Sequence, residues 1–156
     1  MALLNPNTEL VALAWIKGIP GVPVNSINTT LPTDNSTFAA SGFIQVPWLV
    51  GGNPDFYIPV FRPVVQVNFW AVNLGGAKPP WGKAAQLAQK VIDATWKMEN
   101  EPDSMQRTVD MPVPGYKQAH VFSTYFLMEP RRIPNDDARF ALYSGDLQLH
   151  WKVVEP

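Results

Sequence analysis

Sixteen prolines and ten glycines punctuate the 156-residue chain, and they decide where regular structure can run. Proline has no amide hydrogen and a fixed φ, so it ends helices and is excluded from central ladder positions. The first stretch between such breakers predicts a helix over residues 6–17. Asn5 stands where a cap belongs, Pro6 fits the first helical position, and Glu9 faces the positive end of the dipole. Leu10 to Ile16 is apolar around most of the circumference, so this helix should be buried on more than one side. Gly18 and Pro20 stop it.

Residues 19–42 hold one charge, Asp34, and little periodicity. So long a connection is unusual in a compact domain unless it binds something or is disordered. It reads either as a surface loop, with short strands near 22–24 and 26–30, or as an arm that orders against a partner. Two apolar runs follow, 43–50 and 56–61, joined by a turn-rich connector at 51–55, which is a hairpin signal. Pro47 and Pro59 place these strands at an edge or beside a bulge. Between 64 and 72, Val65, Val67, Phe69 and Ala71 alternate with Gln66, Asn68 and Trp70, the pattern of a half-buried strand.

The clearest helix is predicted over 82–99, where Ala84, Ala88, Val91, Ile92, Thr95 and Trp96 form one stripe. Gln86, Lys90, Asp93 and Lys97 take its wet side. Residues 100–118 read as loop, and strands are expected at 119–128 and 138–154, joined by the charged turn 129–137. In the last strand Leu147, Leu149, Trp151 and Val153 occupy odd numbers, whereas Phe140 and Leu142 occupy even ones. A period of two cannot change phase without an extra residue, so a bulge or turn is expected at Ser144-Gly145. The expected fold is one α+β domain spanning 1–156. A mostly antiparallel sheet of about five strands would carry two helices on one face, plus the long loop or arm at 19–42.

Twelve basic against thirteen acidic residues give a net charge of -1, which disfavours a dedicated nucleic-acid binder or a protein held on membranes by basic residues. There is no cysteine, hence no disulfide, thiolate nucleophile or Cys-based zinc site. No secretory signal is apparent, so synthesis and folding in a cytoplasm are expected. His120 and His150 fall on different strands without an accompanying carboxylate, and both read as structural or solvated. Ala40-Ser41-Gly42 and Tyr143-Ser144-Gly145 lack the nucleophile-elbow pattern, and Gly51-Gly52 and Gly75-Gly76 lack that of a phosphate loop. The expectation is a protein that is no enzyme, with no catalytic residue, no cofactor and no metal. Six tryptophans among only 16% charged residues instead describe a protein that covers much of its surface with other protein. Trp70, on the same strand face as Gln66 and Asn68, is the first candidate for a subunit contact. Arg131, Arg132, Asp136 and Asp137, clustered in one turn, are candidates for partner recognition.

The run from Thr30-Leu31-Pro32 through Asp34 to Ala40-Ser41-Gly42-Phe43-Ile44-Gln45-Val46 carries a resemblance. So do Gly51-Gly52, the stretch from Pro63 to Ala71, and that from Pro79 to Ala88. Together they resemble the tail terminator proteins of long-tailed, siphovirus-type phages of actinobacteria, over nearly the whole chain. The resemblance implies a virion protein forming a ring, a hexamer, at the head-proximal end of the tail. Such a ring ends polymerisation of the tail tube and permits head-tail joining. Its implied partners are further copies of itself, the tail tube protein and the head-tail connector protein, with no specific nucleic acid and no membrane. Alternatives are another neck or head-closure protein, the tail tube subunit, or, from a different class, a small ligand-binding or hydrolase domain.

Overall fold

The computed structural model describes residues 2–52, 58–76, 78–97 and 105–155. In chain order they form α1 (Thr8–Lys17), β1 (Ile27–Asn28), β2 (Phe43–Gln45), β3 (Leu49–Gly51), β4 (Val60–Phe61) and β5 (Val64–Val72). Then come α2 (Trp81–Thr95), β6 (Arg107–Val109), β7 (Ala119–Arg132) and β8 (Phe140–Val153). The architecture is α+β, but the sheet has eight strands where five were expected. Its order is β1-β2-β5-β8-β7-β6, with β3 beside β5 and β4 beside β8. It is mixed, because β1 pairs with β2 in parallel while the other pairings are antiparallel.

Helix α1 begins later than expected. Asn7, and not Asn5, is its cap: the Asn7 Oδ1 accepts the Leu10 amide at 2.9 Å, and Pro6 lies ahead of the helix. Val11 to Ile16 are all buried, which fits the all-round apolar sequence, and the Trp15 indole donates to the Met105 carbonyl at 2.9 Å. In α2 the buried stripe is Ala84, Leu87, Ala88, Val91 and Ala94. That is rotated from the expected one, leaving Trp96 66% exposed just past the helix end. Both helices meet one face of the sheet, in a core shared with Val65, Val67, Phe69, Leu147, Leu149 and Trp151.

The hairpin expected from 43–50 and 56–61 does not form between the described residues. Instead β2 and β3 both pair with β5, and β4 pairs with β8; residues 53–57 of the connector and second run lie outside the described set. Along β8, the partners of Val60, Phe61 and Val64 are Lys152, Trp151 and Gln148 in one unbroken register. Pro63 therefore interrupts donation without shifting the row, and its carbonyl still accepts from Leu149 at 3.0 Å. Residues 107–109, expected in a loop, form β6 on β7.

The phase change expected at Ser144-Gly145 is absent. Strand β8 pairs with β5 without interruption from Phe140 to Gln148, so Ala141, Tyr143 and Gly145 share the inner face with Leu147. Phe140 and Leu142 point outward with Trp70, which is why their hydrophobicity imitated an inward phase. The extra residues sit in β7 instead, whose register shifts three times between Val121 and Arg131. Bulges bend a strand and raise its twist, and here they curl the far side of the sheet.

Residues 19–42 are bedded on their own molecule. Ile19, Val22, Ile27 and Phe38 are buried, and β1 belongs to the sheet. The Lys83 ammonium donates to the carbonyls of Ala39 and Ala40 at 2.9 and 2.7 Å, and that of Lys90 to Gly21 at 2.8 Å.

Candidate assembly surface

The outer sheet face, away from the helices, carries the polar half of the β5 alternation. Gln66 donates to Asn68 at 2.9 Å, and Gln45 Oε1 accepts from Asn68 at 3.3 Å and from the Trp70 indole at 3.0 Å. Each polar group at this covered end thus finds a partner within the chain, as buried amides require. Trp70 also meets Phe140 edge-on, ring centroids 6.0 Å apart, and packs in a cluster with Phe38, Phe43 and Val72. The 31–40 stretch therefore helps cover Trp70, and the indole is half-buried.

Further along the same face the sheet is bare. A groove of about 360 Å³ is lined by Trp48, Val50, Met128, Ile133 and Leu142 among others, with Arg131 and Asp146 at its polar side. Trp48 is 56% exposed, and Leu49 and Val50 beside it are also exposed. Strand β3 has β5 on one side and no strand on the other among the described residues.

The opposite margin is β7. Strand β6 covers its outer edge only from Ala119 to Val121; beyond that, among the described residues, no strand pairs with it. Phe122, Tyr125, Leu127 and Met128 are exposed along this open length, and Trp96 adds a further exposed indole near a groove lined by Tyr125 and Phe126. A seven-residue run, FSTYFLM at 122–128, contains no charge and no proline. The charged and proline residues that discourage edge pairing come only after it, at Glu129, Pro130, Arg131 and Arg132.

The charged turn is divided rather than gathered. Arg131 faces the outer groove, whereas Arg132 lies over the Trp81 ring at 4.9 Å and donates to the Tyr143 hydroxyl at 3.2 Å. Asp137 is engaged by Arg139, which approaches with Nε at 3.0 Å and Nη2 at 2.7 Å. Those bonds and the Arg139 amide hold the Asp137 carboxyl down at about 2. Asp136 is exposed. The histidines also stay on the outer face: His120 shares a hydrogen bond with Thr108 at 3.0 Å, and burial together with Arg62 lowers the pKa of His150. Among the described residues no three His, Cys, Asp or Glu side chains come together in a metal-holding group. No helix of the described residues is long and apolar enough to cross a membrane.

Periodicity in the sequence places Trp70 on the outer face, where the chain itself half-buries it, but misses Trp48–Val50, Phe122, Tyr125, Leu127, Met128 and Trp96 as exposed apolar surface. The charge-free run at 122–128 was the available signal. No protein-family profile matches the sequence, and no curated protein does. A solved structure does match, a chain of the "virion of native gene transfer agent (GTA) particle". The two chains share a fold. Their TM-score is 0.55 at 9% sequence identity, over 94% of this chain and 99% of that one.

Proposed function

We propose that the protein is a structural component of a phage-type virion, capping the head-proximal end of the tail as a ring. The observation that carries the reading is the likeness to a virion chain, end to end in both molecules. The resemblance of residues 30–46, 63–71 and 79–88 to tail terminators supplies the finer position. The apolar margins at β3 and β7 suit a subunit whose surface is completed by neighbours. A closed ring needs two unlike surfaces on each copy, because its contact is repeated head to tail around the axis. On this reading the protein catalyses nothing and needs neither cofactor nor metal; its partners are its own copies, the tail tube and the head-tail connector.

The test is antibody labelling of particles purified from cells that produce the protein, viewed by negative-stain electron microscopy. Label confined to the head-tail junction is the expected result. Label along the full tail would make the chain a tube subunit, and unlabelled particles would remove it from the virion.

A further inference from the structure

We infer that copies of this chain join by antiparallel pairing of the Phe122–Met128 edge of β7 with the Leu49–Gly51 edge of β3 in the next copy. The inference rests on the ring reading for its closure and for the sense of the pairing; the choice of surfaces is argued from the two margins of the sheet.

An open strand edge presents unpaired N–H and C=O groups, and native proteins protect such edges with charge, proline, bulges or a cover. Strand β7 has charge and proline from Glu129 onward, yet none of either over the preceding seven residues, where the bulges at Val121/Ser123 and Phe126/Met128 are the protection it carries. There it exposes Leu127 at 56% and Tyr125 at 44%. The other margin is also without charge: residues 46–52, VPWLVGG, carry none, Pro47 lies just ahead of β3, and Leu49 and Val50 are about half exposed. A foreign partner would account for one margin left bare among the described residues. Two unlike margins at opposite sides of one sheet, each free of charge, are accounted for together by another copy.

Strand direction agrees. Strand β5 runs antiparallel to both β3 and β8, and β8 antiparallel to β7, so β7 and β3 point in opposite senses. Rotation about a ring axis leaves each strand's sense along that axis unchanged. With its strands running along that axis, the β7 of one copy meets the β3 of the next antiparallel, the pairing with perpendicular hydrogen bonds. The exposed side chains of both edges then bury one another, as in strand addition elsewhere.

The chain has no cysteine, which makes a clean test available. Leu127→Cys and Val50→Cys variants, both at exposed positions, are prepared separately, checked for unchanged circular dichroism, and oxidised mildly at high concentration. Because the contact holds the two thiols close, disulfide-linked pairs should form at least about tenfold faster in the mixture than in either variant alone. The variant carrying both changes should give a ladder of linked species. Equal self-linking of Leu127→Cys would mean a twofold β7-to-β7 dimer and overturn the proposal. So would absence of cross-links, or a thiol in the Leu127→Cys variant that is inert to small reagents because the same molecule shields it. Particle labelling reads the other question independently: a ladder without virion label keeps the contact and removes the function.

Discussion

At the residue scale, single side chains close hydrogen bonds that the backbone cannot meet by itself. Asn7 caps α1 through its bond to Leu10. Asn7→Ala should cost about 1 kcal/mol of stability, seen as a lower midpoint with unchanged slope in urea. Asn7→Asp should retain most of the stability, because a carboxylate accepts the same bond. Asp137 is the residue-scale test of electrostatics. Hydrogen bonds from Arg139 lower its pKa to about 2 from the usual 3.8. A depressed carboxylate stabilises the fold above its unfolded value, and that contribution fades as the pH falls through about 2. Both side chains are exposed, so its size is small. The sharper readout is the carboxyl carbon resonance of Asp137, which should titrate near 2 in the native chain and move up towards 3.8 in Arg139→Gln. A midpoint already near the ordinary value in the native chain would show that the pair does not persist in solution.

At the scale of elements, legibility in the sequence followed how clearly side chains report their face. Strand β5 was plain because Val65, Val67, Phe69 and Ala71 alternate with polar partners. Strand β8 misled, because at one end the inner face needs small groups. Ala71, Ala84 and Ala141 pack together where α2 begins, while Phe140 and Leu142 lie on the outer face with Trp70. Hydrophobicity then marked the wrong side. The pairs of β3 and β4 were hidden for another reason: strands of two or three residues carry no period, and their partners are distant in sequence. Of the surface, the outer face bearing Trp70 was legible, but exposure of Trp48 and Leu127 depends on which edges remain open, a property of topology, and that of Trp96 on how α2 is rotated against the sheet. Gly145 tests the revised account of β8. A Cβ there would stand 2.9 Å from the Met128 carbonyl oxygen and 3.0 Å from the Pro130 ring, so the glycine lets bulged β7 cross close to β8. Gly145→Val should cost about 1–3 kcal/mol by overpacking, whereas valine at a true surface turn would be nearly neutral. Equilibrium denaturation separates the two.

At the scale of the whole molecule, the question is whether a copy is finished before it meets another. Residues 19–42 decide it, since a partner-dependent arm and a folded strap predict opposite behaviour in the free protein. The strap is held by burial of Ile27 and Phe38, and by amide bonds such as Gly42 to the Phe38 carbonyl at 2.8 Å. At its far end Gly42 takes a φ of +77° that lets Leu87 and the Trp70 carbonyl approach. Lys83 adds two further bonds across 43 and 44 residues of sequence. In dilute monomer, therefore, the amides of Gly42 and Val46 should exchange with deuterium slowly, on the timescale of the core and not of a tail. Lys83→Met keeps the aliphatic stem but removes the ammonium, so it should speed exchange across 35–42 while leaving β5 and β8 protected. Rapid exchange over 19–42 in the unaltered monomer would mean that the segment waits for a neighbour to order it. Slow exchange would leave the open margins of β3 and β7 as the surfaces that assembly completes.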